Sequence, residues 1–380
     1  RVPVEATGGR LDTAKVVHVR YRPGSDVVVR YSASVSWGGA PPTRETLVAT
    51  STVHGLHPGV AKLTATTAGG PLEVGVWRYP FDPVLVGLGD AVTRSGAAGL
   101  LGLSTDDTTV RVIAYRPTDR AVVRVSHHDH PVAYVKVVAP GRVDAIAERH
   151  RRLREGGVPA PDVIALDAER GLLALEPLLG PTWRELIKGS DRTTPWPRPG
   201  DVAELCTAFA RCELPEPGPP SRIADGRLHA RMLATVLPDL DPMLGQLVER
   251  FEAVGPPVHD GVIHGDLHEG QLIVGPSGIV GVLDVDDAGP GASADDIGNL
   301  LAHLHYREIA ETAADVDELV RYRRELERLT GERRAPEVVA VHVAAALVGL
   351  ATGPFRIQSP NWPELCGRLV SRAAELVAGT

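Results

Sequence analysis

The chain has 380 residues, 43% of them hydrophobic, 4% aromatic and 23% charged, with a formal net charge of −8. That composition suits a soluble globular protein of two or three domains, and a pI near 6.0 gives no polyanion-binding signal, so no nucleic-acid partner is expected. Nowhere do eighteen consecutive apolar residues occur, the start is not a charged end followed by an apolar run, and Cys206, Cys212 and Cys366 form an odd set without Cys-x-x-Cys. No membrane span, signal peptide or structural zinc is therefore expected, and the default location is the cytoplasm.

The first hundred residues read as β-rich. A hairpin is predicted from strands at 16–21 and 27–35 around the turn Arg22-Pro23-Gly24-Ser25-Asp26, with further strands at 45–53, 60–66 and 72–79. His18, His54 and His57 stand alone in strands or turns and read as structural. An echo follows: Tyr21-Arg22-Pro23 with Val28-Val29-Arg30 repeats as Tyr115-Arg116-Pro117 with Val122-Val123-Arg124 at a constant offset of 94. It reads as a duplicated hairpin module or as one turn chemistry used twice.

Three antiparallel strands are predicted at 110–114, 120–126 and 133–138. The third carries Lys136, one of only four lysines among 40 basic residues. A helix at 143–155 with Glu148 ends at Val158-Pro159-Ala160-Pro161, and a hairpin at 163–166 and 172–175 leads into Glu176-Pro177-Leu178. Thereafter the chain reads as helical: 182–188, a Pro-rich loop at 191–200, then 201–212, 223–235 and 241–254, and later 295–305, 310–329, 336–350 and 363–377.

Between those helical runs, residues 262–300 carry the chemistry. Asp266 lies in a short polar loop, and Asp284 ends an apolar run eighteen residues later. A hairpin of Leu272-Ile273-Val274 and 279–283 around Gly275-Pro276-Ser277-Gly278 brings the two carboxylates together. Such a pair repels unless a cation or a shared proton relieves it, which points to a divalent metal or a carboxylate dyad.

His264-Gly265-Asp266-Leu267-His268, Leu283-Asp284, Asp287-Ala288-Gly289 and Asp295-Asp296-Ile297 resemble the catalytic loop, metal-binding segment and following helix of the aminoglycoside phosphotransferase and choline kinase family. The resemblance, over about residues 109–305, implies an α/β (α+β) bilobal protein-kinase-like fold. Its parts would be a β-rich N-terminal cap (1–103), a nucleotide-binding lobe with the hinge (104–178) and a helical C-terminal lobe (179–380). It implies Asp266, with His264 in the catalytic loop, as the base that accepts the substrate hydroxyl proton, and Asp284 as the magnesium ligand. Gln271 sits where most members carry Asn as second metal ligand and is similar to the maltokinase-like branch. By the same resemblance Lys136 contacts nucleotide phosphates, braced by Glu148 with Glu155 as the reserve choice. The turn 115–119, with Tyr115 and Arg116, takes the place of a Gly-rich loop, and Glu176 and Leu178 receive the adenine. Asp287, His268 and Glu269 would line the acceptor pocket. The implied cofactors are magnesium and ATP, with GTP as the alternative. The implied partner is a small hydroxyl acceptor, first a sugar, amino sugar or aminoglycoside. A kinase of Ser or Thr in a peptide, a pseudokinase binding module and a metal-dependent hydrolase are the competing readings, and the oligomeric state stays open.

Overall fold

The computed structural model describes residues 2–5, 7–67, 70–189, 193–255, 258–332 and 335–379. Asp191 and Arg192, at the start of the expected Pro-rich loop, lie outside the described residues. The chain forms two compact units. The first comprises Arg1–Ala145, Val163–Pro177 and Arg356–Pro360, and the second comprises Ile146–Asp162, Leu178–Phe355 and Asn361–Thr380.

In the first unit a one-turn helix α1 (Val2–Glu5) precedes β1 (Gly9–Arg22), β2 (Asp26–Trp37), β3 (Thr43–Thr52), β4 (Ala61–Thr67) and β5 (Gly70–Arg78). Two short helices, α2 (Leu88–Ala91) and α3 (Arg94–Leu101), lead to β6 (Thr108–Arg116), β7 (Arg120–His127) and β8 (His130–Val137). After the helix α4 (Val143–Glu155), β9 (Val163–Asp167) and β10 (Leu172–Leu175) complete a second sheet. β1 is much longer than its predicted core because bulges between Leu11 and Thr13 and between Val16 and His18 break the alternation that marks a strand. α3 lies in the expected β-rich cap, beyond its last predicted strand. Its signals are local: the Thr93 hydroxyl accepts from Gly96 N at one end, and Gly102 closes the other at φ 67.

Both sheets are antiparallel and share one strand order, β1-β2-β3-β5-β4 and β6-β7-β8-β10-β9. The echo at offset 94 is also an identity of register. Tyr21 faces Val27 and Arg22 faces Asp26, as Tyr115 faces Ala121 and Arg116 faces Arg120. Val28, Val48 and Trp77 of the first sheet pack in one core with Ala121, Val123, Val125 and Val135 of the second.

Asp82 organises the junction between the sheets. Its side chain is 3% exposed, and it accepts hydrogen bonds from the Tyr115 hydroxyl (2.9 Å) and from Thr118 N (3.0 Å), Val84 N (2.9 Å) and Leu85 N (3.0 Å). Trp77 Nε1 donates to the Tyr115 oxygen at 3.2 Å. The turn after β6 is thereby held from below, with Thr118 at φ 60, a conformation that a β-branched residue adopts only when its surroundings impose it.

The second unit holds α4 from Ile146 on, together with α5 (Trp183–Lys188), α6 (Pro199–Ala210), α7 (Arg222–Val236), α8 (Asp241–Ala253), α9 (Ser293–Ile309), α10 (Val316–Gly331), α11 (Pro336–Arg356) and α12 (Trp362–Ala378). Strands β11 (Gly261–Ile263), β12 (Leu272–Gly275), β13 (Gly278–Val282) and β14 (Gly289–Gly291) sit between α8 and α9. α5 starts at a capping box, the Thr182 side chain accepting from Glu185 N and the Glu185 carboxylate from Thr182 N. α10 starts at Val316 rather than near 310 because the Asp315 carboxylate caps Glu318 N at 2.8 Å. Trp183, Phe209, Phe251 and Leu347 anchor a continuous core. By length and composition α11 could cross a membrane, with a mean hydropathy of 1.9 over its apolar window, but 67% of that window is buried inside the protein, so it is a core helix. Close approach fixes its partner: a Cβ on Gly298 of α9 would lie 2.7 Å from His342 Cβ.

Removing the buried acceptor at Asp82 strands several donors. Asp82→Ala should lower unfolding free energy by about 2–4 kcal/mol and Tyr115→Phe by about 1 kcal/mol, read from urea midpoints. An unchanged midpoint in Asp82→Ala would show that the turn after β6 holds without it.

Candidate active site

The polar loop 264–271 is built between two small pairs of strands. β11 pairs antiparallel with β14, Val262 facing Pro290 and Ile263 facing Gly289, a ladder the sequence reading did not contain. β12 pairs with β13, Leu272 facing Val282, as predicted. Leu283 N donates to Gln271 O at 2.8 Å, so the loop's exit and the residue before Asp284 are joined.

Asp296, in the first turn of α9, holds the loop's entrance. Its carboxylate is 3% exposed and accepts from His264 N at 2.7 Å and Gly265 N at 2.8 Å. Burial pushes its carboxyl up, opposed by His264, the two backbone donors and Arg222. Gly265 takes φ 85 and its Cα lies against the Pro219 ring, where a Cβ would be 2.7 Å from Pro219 Cβ.

His264 was expected beside the base in the chemistry. The structure makes it a clamp instead: its side chain is fully buried, Nδ1 accepts from Asp266 N at 3.1 Å, and Nε2 donates to Leu283 O at 2.9 Å. The donor at Nδ1 fixes the tautomer. One imidazole thus ties Asp266 to the strand end that carries Asp284.

Asp266 has one oxygen held and one left open. Arg222 Nη2 donates to Oδ1 at 3.1 Å and also to Gly265 O, and Asn299 Nδ2 donates to Oδ1 at 3.2 Å and to Leu267 O at 3.0 Å. Among the described residues no donor reaches Oδ2, and the side chain is 49% exposed. The dense surroundings of the loop push the carboxyl up. Arg222, then His268, His303 and His264, outweigh that and hold it below the usual carboxylate range.

Asp284 takes the left-handed conformation at φ 60, ψ 43, at the start of the short turn Val285–Asp287. Such backbone is costly for a non-glycine residue and persists where surroundings impose it. Gln271 Nε2 donates to Asp284 Oδ2 at 3.3 Å. A carboxylate and an amide in contact form an oxygen donor set of the kind a hard divalent cation takes. Asp287 is exposed, whereas Asp286 is buried beside His150, whose Nε2 lies 3.6 Å from Oδ1.

Two residues expected in the acceptor pocket lie beneath the loop. Glu269 is fully buried, and its Oε1 accepts from Arg184 Nε and Arg307 Nε, both at 2.9 Å, while His303 Nδ1 lies 3.3 Å from Oε2. Burial pushes this carboxyl up, but His303, His268 and Arg184 hold it well below its ordinary value. His268 is 9% exposed and stacks on His303 at 4.3 Å between ring centroids. Its Nδ1 accepts from Gly270 N at 2.9 Å and Arg184 Nη2 at 3.1 Å, and burial, then His303, pushes it down to about 3. His268 Nδ1 is thus taken by two N–H donors and Glu269 Oε1 by two guanidiniums, so both atoms are committed to holding the loop.

In the first unit Lys136 is 7% exposed on β8, facing Val122 on one side and Leu173 on the other. Tyr115, expected to meet the nucleotide, is buried with its hydroxyl committed to Asp82, so only its backbone lies at the turn. Arg116 is exposed, and Glu176 is half-buried just after β10. Glu148, expected to brace Lys136, has its carboxylate taken by Arg151 Nη2 at 2.7 Å and Arg152 Nε at 2.6 Å, which pull it down to about 2. Leu178, in the second unit, packs on Gly281, where a Cβ would lie 2.6 Å from Leu178 Cδ1.

Sequence reasoning missed Arg222, Asn299, Arg184 and Arg307, which come from α7, α9 and α5. No spacing rule links them to the loop. Asn299 had a weak local signal, lying one turn beyond Asp296 on the same helix.

Residues 101–337 match the family model described as the phosphotransferase enzyme family. No curated protein matches the chain significantly. Among solved structures, a thermostable mutant of aminoglycoside phosphotransferase APH(4)-Ia in a ternary complex with AMP-PNP and hygromycin B is 16% identical with a TM-score of 0.52, over 74% of this chain and 97% of that one. The amicoumacin kinase hAmiN in complex with AMP-PNP, Ca2+ and Ami is 13% identical with a TM-score of 0.51, over 73% of this chain and 91% of that one. A choline/ethanolamine kinase family protein from Mesorhizobium loti is 14% identical with a TM-score of 0.49, over 76% and 98%. At these identities the likeness to APH(4)-Ia and hAmiN is one of fold. The family match covers well over half of the chain and includes the loop, Gln271 and Asp284, and on that ground the protein belongs to the phosphotransferase enzyme family.

Proposed function

We propose that this phosphotransferase moves the γ-phosphoryl group of ATP, with GTP as the alternative donor, to a hydroxyl of a small molecule, first of all a sugar, amino sugar or aminoglycoside. The observation that carries the reading is the asymmetry of Asp266: Oδ1 is held by Arg222 and Asn299, and Oδ2 is open. A carboxylate so held presents one lone pair in a fixed direction, as a base that receives a hydroxyl proton must. Arg222 keeps it ionised, so it serves by orienting the hydroxyl and taking the proton as the phosphoryl group is transferred.

Asp284 and Gln271 would hold magnesium, which when bound neutralises charge on the nucleotide phosphates. His264 and Asp296 are positioning residues: between them they hold the Asp266 loop to the end of β13 and to α9. Lys136 is proposed as a phosphate contact, and the backbone at Glu176 and Leu178 as the adenine contact. Asp287, the exposed carboxylate of the segment, is the candidate for an acceptor amine or hydroxyl. The complexes of APH(4)-Ia with AMP-PNP and hygromycin B and of hAmiN with AMP-PNP, Ca2+ and Ami support a nucleotide and a small molecule bound together in this fold.

The test is release of nucleoside diphosphate from magnesium-ATP and magnesium-GTP with a panel of sugars, amino sugars, aminoglycosides, choline and Ser-containing peptides. Asp266→Asn should cut acceptor-dependent turnover by about two to four orders of magnitude with nucleotide binding nearly intact. Equal turnover in the variant would remove Asp266 from the chemistry. Asp284→Ala should weaken binding of the magnesium-nucleotide itself, and an unchanged titration would refute its metal role. Glu269→Ala should cost about 3–5 kcal/mol in urea unfolding, because two guanidiniums lose their buried partner. A raised acceptor KM at unchanged stability would return Glu269 to the acceptor pocket.

A further inference from the structure

The family resemblance places Arg116 at the nucleotide, but the other arginines of the first unit that gather about its turn are distributed in a way that the transfer reaction does not explain. On β1, His18, Arg20 and Arg22 alternate onto one face, and the register sets His18 directly opposite Arg30 of β2. Two of these side chains reach the turn between β6 and β7. Arg30 Nη1 donates to Tyr115 O, Arg20 Nη1 to Pro117 O at 3.3 Å and Arg20 Nη2 to Thr118 Oγ1 at 3.0 Å. Arg116 belongs to that turn, and Arg356 opens the C-terminal segment Arg356–Pro360 of the same unit.

Few carboxylates answer these guanidiniums. Asp26 is shared by Arg20 at 2.8 Å and Arg22 at 3.9 Å. Among the described residues no carboxylate lies within ion-pair distance of Arg30, Arg116 or Arg356. Asp119 acts on Arg356 only from further off. Burial, then Arg116 and Arg20, pushes the Arg356 guanidinium below its ordinary value, with Asp119 opposing. The charges converge on His18, which burial, then Arg356, Arg30, Arg116 and Arg20, hold down to about 4. Several guanidiniums gathered around a single paired carboxylate, Asp26, leave net positive charge, and a bound anion relieves it. Guanidinium forks match the oxygens of a phosphate in pairs.

We propose that His18, Arg20, Arg22, Arg30, Arg116 and Arg356 form a second anion site, taking the phosphate group of a phosphorylated small molecule between the first sheet and the turn after β6. The site stands apart from the kinase reading: a protein inert toward every acceptor would still bind the anion.

The experiment is calorimetric titration of the full chain with glycerol 3-phosphate and with inorganic phosphate, with and without saturating magnesium–AMP-PNP. Saturable binding that survives the nucleotide, weakened about tenfold in Arg356→Gln and further in Arg22→Gln/Arg356→Gln, is the expected result. Arg22 is largely exposed, so Arg22→Gln alone keeps the test informative where Arg356→Gln fails to fold. The His18 imidazole resonance, measured with and without phosphate, should titrate higher once the phosphate is bound, a response that a purely structural arginine cluster does not produce. Absence of saturable binding would overturn the proposal. So would displacement by the nucleotide, which would make the cluster part of the nucleotide's own phosphate site, or binding unchanged in both arginine variants.

Discussion

A carboxylate buried at the first turn of α9 decides where everything else in the second unit's site can be. Asp296 accepts two consecutive backbone N–H groups, from His264 and Gly265, and is buried away from bulk solvent. Two donors aimed at one carboxylate leave the loop little freedom, and the start of a helix is a favourable place for negative charge. With the entrance of the loop tied to α9, the His264 ring is directed at Leu283 O and Asp266 N, and Asp266 and Asp284 are carried on one clamped frame. The proposed chemistry would depend on that frame because transfer between fixed groups gains from positioning more than from any single strong contact.

The first unit repeats the device. Asp82, equally buried, accepts from Tyr115, Thr118, Val84 and Leu85 and so holds the turn after β6 in a conformation that its own residues disfavour. In both units a loop without a regular ladder is made rigid by one desolvated aspartate whose donors are mostly backbone amides. Such a carboxylate is expensive to bury and cheap to satisfy only in one geometry, which makes the loop specific as well as stable.

Beneath the loop, the knot of Glu269, Arg184, Arg307, His268 and His303 performs a further task. It fills the space under Asp266 with a carboxylate held by two guanidiniums and a pair of stacked imidazoles, so the loop rests on a polar floor instead of an apolar one. The same five residues keep histidine and glutamate away from the open side of the loop. Asp266 Oδ2 stays without a donor among the described residues, Gln271 meets Asp284, and Asp287 is exposed, which are the features the proposed function uses.

The sequence by itself determined the pieces whose signals are local. The hairpin β12–β13 followed from a four-residue turn between two apolar runs, the helices of the second unit from their periodicity, and the echo at offset 94 from a repeated turn whose register the structure reproduces. The order of Asp266, Gln271 and Asp284 was legible because a loop, a turn and a strand end lie consecutively in the chain. Tertiary structure alone decided which side chains face which way. Arg222 and Asn299 meet Asp266 from 44 and 33 residues away in sequence, and the three-residue ladder β11–β14 is too short to carry a period. Glu269 and His268 look, in one dimension, as available to a substrate as Asp287 does. They are buried because α5 and α9 bring two arginines and a histidine to that side of the loop, and only packing chooses between a charge that meets solvent and one that meets its counter-charge.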